Sequence, residues 1–241
     1  MKAELRTAPG MAALSRAGAD EFSRCAREAV AARDRFAVAL SGGSTPRGVF
    51  SLLAQANNLS WNKMYFFFGD ERHVPPTDPE SNYRMANESL ISKVPIPPQN
   101  VHRIHTELEA TVAADQYEAE LKKFFQGHST TDGWPRFDLI MLGMGPDGHT
   151  ASLFPGTAAL NEKSRWVAAN WVEKLNTWRI TFTFPVINYA AEVLFLVAGE
   201  EKAEVLKDVF EGKPGKYPCQ NVQPINGRLL WIVDKIVARL L

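Results

Sequence analysis

The sequence predicts a doubly wound α/β fold, a mostly parallel sheet with helices on both faces. Three observations carry the prediction. Short apolar runs recur with no polar face, each stops at a glycine or a charged cluster, and amphipathic stretches separate them. Strands buried on both sides read as continuous apolar runs, and the crossovers between parallel strands supply the helices.

The elements follow in order. Ser15 to Arg33 places Phe22, Cys25, Ala26, Ala29 and Val30 at three- and four-residue spacing among charges, the pattern of an amphipathic helix. Phe36 to Leu40 is an apolar strand that ends at Ser41-Gly42-Gly43-Ser44-Thr45-Pro46, and Val49 to Ala56 reads as the next helix. Pro46 suits a first helical turn, where its missing N–H has no partner to lose. Met64 to Phe68 is a second strand, ending at Gly69-Asp70-Glu71-Arg72 before a Pro-rich loop and a helix that starts near Ser81. Phe137 to Leu142 is a third and runs into Gly143-Met144-Gly145-Pro146-Asp147-Gly148-His149. Val193 to Val197 is a fourth, followed by helical Glu200 to Phe210; Leu229 to Val233 is a fifth, before a final C-terminal helix. Arg165 to Trp171 and Thr177 to Phe184 alternate, which predicts exposed or antiparallel strands forming a small lid or hairpin.

Composition bounds the function. Of 241 residues, 45% are hydrophobic and 22% charged, which excludes a disordered chain. The 27 basic and 27 acidic residues cancel, so no overall basic field gathers nucleic acid or an anionic membrane surface. Cys25 and Cys219 lie far apart and outside any CxxC pattern, so neither a disulfide framework nor a cysteine-based metal site is expected. Lys2, Glu4 and Arg6 precede no apolar signal region, and no apolar stretch reaches 18 residues, so a cytoplasmic protein is expected. With no linker or internal repeat, residues 1–241 are read as one domain, of radius of gyration about 18 Å.

In open α/β sheets, ligands bind beyond the carboxyl ends of the strands, so the polar residues after each apolar run are the candidates for a site. Gly42, Gly43, Ser44 and Thr45 open a helix, where free N–H groups and the helix dipole attract an anion such as phosphate. The segment has neither the Lys of a Walker A loop nor dinucleotide-fingerprint spacing, so neither ATP nor NAD is implied. Gly143 to Pro155 combines glycines with two titratable groups; His149 is the general-base candidate and Asp147 is near enough in sequence to orient its ring. Asp70 can position a substrate hydroxyl, and Arg72 can bind phosphate or a developing oxyanion. Glu71 reads as a structural partner for a neighbouring cation. Arg179 and Lys202 are two cations placed to complete a phosphate pocket. His73, His102, His105 and His128 are read as structural, and Phe66, Phe67 and Phe68 as strand core rather than a base-stacking platform. His73 near Asp70 and Glu71 lacks metal-ligand spacing, so no metal is expected.

Three segments in order, SGGSTPRGVF, FFGDERHVPPTDPESNYRMANESL and LGMGPDGHTASLFPG, resemble the 6-phosphogluconolactonase family. WRITFTFPVIN, GEEKAEVLKDVF and LLWIVDKIVARL extend the likeness across most of the chain. The resemblance implies an α/β enzyme without a cofactor that opens 6-phosphoglucono-δ-lactone in the oxidative pentose phosphate pathway. It implies His149 as catalytic base, with Asp70, Arg72, Asp147, Arg179 and Lys202 in the site. The expected partner is a small sugar-phosphate lactone, with the chain as a monomer or small homo-oligomer and no nucleic acid or membrane.

Glucosamine-6-phosphate deaminases of the same superfamily share the glycine turn and an Asp-Gly-His segment. They continue toward Phe-Asn-Glu-Pro, whose Glu takes part in ring opening; this sequence has Ser152-Leu153-Phe154-Pro155 instead. That departure favours the lactonase over an amino-sugar-phosphate deaminase or isomerase. A non-catalytic sugar-phosphate sensor would keep the phosphate loop but has no need of the Asp147/His149 pair.

Overall fold

The computed structural model describes residues 3–127 and 129–241. Its elements in chain order are β1 (Glu4–Ala8), α1 (Met11–Arg33), β2 (Phe36–Leu40), α2 (Ser44–Leu53), β3 (Met64–Phe68), β4 (Asp70–Arg72), α3 (Asn82–Ser89) and α4 (Ala110–Phe124). They continue with β5 (Leu139–Leu142), β6 (Val167–Val172), β7 (Thr177–Phe182), α5 (Phe184–Asn188), β8 (Glu192–Val197), α6 (Ala203–Glu211) and β9 (Arg228–Asp234). Six parallel strands form one sheet in the order β1-β9-β8-β5-β2-β3. A second, antiparallel sheet has the order β4-β7-β6. No helix of the described residues is long and apolar enough to cross a membrane.

The continuous apolar runs are strands because both faces of the large sheet are covered. Every residue of β2, β5 and β8 is buried. On β3, successive side chains point to opposite faces. Phe66 meets Phe22 of α1 edge-on at 6.4 Å, while Phe67 packs against Phe124 of α4 at 4.9 Å and Phe137 at 5.3 Å. The small sheet lies against α4, where Tyr117 stacks on Phe182 at 6.1 Å and its hydroxyl accepts from the Phe68 N–H at 2.8 Å.

Strand order also sets the location of a site. From β2 the chain moves outward to β3, then returns past β2 to β5 and proceeds the other way to β8 and β9. The direction of winding reverses between β2 and β5, and at such a switch point the loops leaving the two strands part to open a crevice. Those loops are residues 41–43 and 143–149.

The opposite edge of the sheet is tied by charge. Glu4, Glu192 and Arg228 begin three adjacent strands; Arg228 donates to Glu4 at 2.7 Å, to Glu192 at 3.1 Å and to Glu21 of α1. Arg24 also pairs with Glu21 and with Glu192, at 2.5 Å. Glu21 and Glu192 lie close enough to Cys25 for the three to share a metal ion, but these two guanidinium groups already neutralise the carboxylates. Both cysteines are free and buried, and burial pushes the Cys219 thiol up to about 12. Removing one partner of a buried pair strands the other's charge. Arg228→Ala is therefore expected to cost about 3 kcal/mol, the low end for such a loss because Arg24 remains. Thermal denaturation reads that loss, while kcat stays at the wild-type value because the network is at the far edge from the crevice.

The structure departs from the sequence expectations in several elements. α1 begins at Met11 rather than Ser15; α2 has Ser44, Thr45 and Pro46 in its first turn as expected but ends at Leu53 rather than Ala56. The C-terminal helix does not form: Ala238 N–H reaches Asp234 O and Leu241 N–H reaches Ala238 O, but these turn bonds do not repeat in series, and the Asp234 carboxylate takes the Val237 N–H. β1 and α4 have weak apolar signatures. β1 is an edge strand that alternates charge, and α4 buries mainly alanines around Tyr117 and Leu121. His128 lies outside the described residues.

Candidate active site

The β2–α2 turn forms the first wall. Gly43 adopts φ +98°, which the glycine permits without strain, and a Cβ on Gly42 would lie 1.8 Å from Asn82 Oδ1. The first turn of α2 has neither a side-chain cap nor an acidic residue, so its N–H groups keep their positive field.

The second wall follows β3. Asp70-Glu71-Arg72, read as the polar cluster that ends the preceding strand, is a strand of its own, β4, paired in antiparallel register with Thr181, Ile180 and Arg179 of β7. Alternation turns Glu71 away from Asp70 and Arg72. Glu71 is buried and has a different job from the one expected. Rather than pairing with a cation, it accepts from the N–H groups of Arg72 at 2.8 Å, Asn82 at 2.7 Å and Tyr83 at 2.8 Å, and from the Ser81 hydroxyl at 3.0 Å. It thus caps α3 where the helix dipole favours an anion, while burial still raises its pKa. Asp70 is held on the cleft side by Ser152 Oγ at 2.7 Å, and the Asn82 amide donates to the Asp70 carbonyl at 2.9 Å.

The third wall is the loop after β5. Gly145 has its α-carbon so near the imidazole that a Cβ would lie 2.1 Å from His149 Cε1 and Nδ1. The His149 Nδ1–H donates to Asp147 Oδ1 at 2.5 Å, which leaves Nε2 unprotonated in the neutral ring. Phe154 stacks on the same ring, with centroids 4.0 Å apart. Burial, helped by the nearby Arg179, Lys202 and Arg72 and opposed by Asp70, lowers the His149 pKa to about 4. The imidazole is therefore neutral at pH 7 and can accept a proton.

All ten candidate residues come together. Gly42, Gly43, Ser44, Thr45, Asp70, Arg72, His149 and Lys202 line one cleft of about 270 Å³. Asp147 and Arg179 line an adjoining cavity of about 480 Å³, and Asp70, Arg72 and His149 border both. Arg72 and Arg179 face each other across β4 and β7. Arg179 is far from the solvated surface side chain that a lone arginine would be. Among the described residues its Nε is buried with no hydrogen-bond partner, and burial beside the like charge of Arg72 lowers its pKa. The partly buried Arg179 guanidinium beside that of Arg72 offers positive charge for an anion, offset in part by Asp70.

Three participants escaped sequence reasoning: Asn82, Ser152 and Lys174. Asn82 and Ser152 lie inside the quoted motifs, but their link to Asp70 spans 12 and 82 residues. His73, His102 and His105 lie outside the cleft, their ring nitrogens meeting the Leu108 carbonyl, Glu120 and Glu107 respectively.

The family model described as glucosamine-6-phosphate isomerases/6-phosphogluconolactonase matches residues 9–231. The chain belongs to this family. Among family members, a 6-phosphogluconolactonase from Nostoc sp. is 40% identical over 97% of this chain and 96% of its own. A 6-phosphogluconolactonase from Rattus norvegicus is 42% identical over 87% of this chain and 82% of its own. The solved 6-phosphogluconolactonase from Trypanosoma cruzi superposes with a TM-score of 0.89 at 30% identity, covering 100% of this chain and 97% of that one.

Proposed function

We propose that this protein hydrolyses 6-phospho-D-glucono-1,5-lactone to 6-phospho-D-gluconate, the lactone-opening step of the oxidative pentose phosphate pathway, by metal-free general-base catalysis. The observation that carries the reading is the Asp147–His149 pair set across two adjoining cavities from an uncapped helix start and three cations. Names of relatives at about 40% identity support the same substrate.

The first turn of α2, with Ser44, Thr45 and Lys202, holds the 6-phosphate. Arg72 lies at the junction of the two cavities, and Arg179 adds positive charge from the side of His149. Binding energy from the remote phosphate orients the lactone carbonyl beside the imidazole. Nε2 takes a proton from water as the oxygen bonds to C1, and the donors around the cleft meet the charge growing on the carbonyl oxygen. Asp147 stabilises the imidazolium. Collapse of the tetrahedral intermediate breaks the bond from C1 to the ring oxygen, which recovers the proton from His149. A δ-lactone is an activated ester, so a base and oxyanion donors suffice. Asp70, engaged by Ser152, lies among cations that oppose a bound metal.

Phe154, at the position where the deaminase pattern has its Glu, stacks on His149 and offers no carboxylate for opening an amino sugar. The decisive experiment is a lactonase assay corrected for spontaneous hydrolysis, run in parallel with glucosamine 6-phosphate and ammonia detection. Enzymatic lactone turnover without ammonia, unchanged by chelator, is expected. Ammonia release, or chelator-sensitive turnover restored by metal, would refute the substrate or the metal-free step respectively.

Lys202→Ala is expected to raise KM more than it lowers kcat, because a phosphate contact is shared by ground and transition states. Wild-type protein should also bind dephosphorylated lactone weakly; equal affinity for both lactones would remove the phosphate pocket.

A further inference from the structure

We propose that Lys174 is a positioning residue for His149, acting through Asp147 and Phe154. The proposal rests on His149 as the base and adds a residue from a different part of the fold. Lys174 lies in the short turn Glu173–Leu175 that joins β6 to β7, 27 residues beyond Asp147. Its Nζ donates to Asp147 Oδ2, while Oδ1 of the same carboxylate accepts from His149 Nδ1. The same ammonium lies over the Phe154 ring, 4.7 Å from the centroid, and that ring stacks on His149. One cation thus engages both groups that define the imidazole, the carboxylate at its edge and the aromatic ring on its face.

The turn is built to hold Lys174 in place. Asn176 takes a left-handed conformation at φ 47°, its N–H bonds to Glu173 O at 3.0 Å, and Trp171 pairs with Trp178 across the hairpin at a centroid separation of 5.5 Å. The Lys174 side chain is 52% exposed, so its charge is not needed to fill the core.

Two consequences follow from the charge. With Oδ2 tethered, the carboxylate cannot rotate away from Nδ1, which keeps the base at Nε2. The ammonium also offsets part of the Asp147 charge, so the imidazole is less basic than it would be beside a free carboxylate. Lys174 also lines the cavity that holds Arg179, and a direct contact with substrate would act through KM instead.

The test compares Lys174→Met, Lys174→Arg and wild type in lactone hydrolysis, with NMR of the His149 Nδ1–H in the absence of substrate. Lys174→Met is expected to lower kcat about 10-fold, the low end for losing a group that orients a histidine. KM should stay within about twofold, as for an interaction not shared by the ground state. The acid limb of kcat/KM should move to higher pH, the Nδ1–H signal should shift or broaden, and Lys174→Arg should restore all three. Unchanged kcat, acid limb and Nδ1–H signal would overturn the proposal, as would a rise in KM alone. The NMR readout needs no turnover. If His149→Ala retained full activity while Lys174→Met still altered the Nδ1–H signal, the base assignment would fail and the contact would stand.

Discussion

His149→Ala is expected to lower kcat by about 10²–10⁴, the usual contribution of a general base, with folding intact. Because the lactone hydrolyses spontaneously, the rate is read after subtraction of background, and an undiminished corrected rate would remove His149 from the mechanism. The wild-type pH profile provides an independent check. With the imidazole pKa lowered to about 4 in the free protein, kcat/KM should stay level from neutrality down to about pH 5 and fall about tenfold per pH unit below 4. Phosphate binding offsets the Arg72, Arg179 and Lys202 charges that help to lower that pKa, so the acid limb of kcat should lie at higher pH than that of kcat/KM. A limb near 6.5 in both profiles would show that burial does not control this imidazole.

The same shift has a sign in stability. The unfolded chain protonates this histidine near pH 6.5, whereas the folded chain resists until about pH 4, so between these values the unfolded state binds more protons. Stability is therefore lost as pH falls through that window. His149→Gln removes this penalty, and its melting temperature relative to wild type should rise on going from pH 7.5 to pH 5.

The second large effect is expected from Gly145→Ala. The added Cβ would overlap His149 Cε1 and Nδ1 at 2.1 Å and crowd Asp147 Oδ1 at 3.0 Å. Gly145 does not adopt a positive φ, so the substitution brings a contact rather than backbone strain. The imidazole must move, and a displacement of about 1 Å costs about 10² in rate. The expected result is a kcat loss of that size with near-normal KM and a folded protein whose crystal structure shows the Asp147–His149 bond broken. Wild-type kcat in this variant would mean that the imidazole has freedom the close approach denies it.

Much of the site was legible because α/β folds place chemistry next to strand ends. β2 and β3 have the bounds read from their apolar runs, and the runs assigned to β5, β8 and β9 agree to within two residues at either end. Knowing where those strands stop was enough to select the glycine turn, Asp70 and the Gly143–His149 loop. The antiparallel hairpin was also visible as alternation, but its third strand, β4, was not. Asp70-Glu71-Arg72 has no periodicity of its own and is a strand only because Thr181, Ile180 and Arg179 lie beside it.

The sequence by itself determined the parallel sheet, the residues that leave its strands and the histidine proposed as the base, because hydrophobic periodicity and strand-end loops are local signals. Only tertiary structure decided that Glu71 caps α3, that Ser152 holds Asp70 across 82 residues, that Arg179 is partly desolvated beside Arg72, and that Lys174 reaches Asp147 from a distant turn. Each of these depends on which side chains meet across unrelated elements and on how much water remains between them. Hydrogen bonding and desolvation are set by those meetings and leave no trace in the order of residues along the chain.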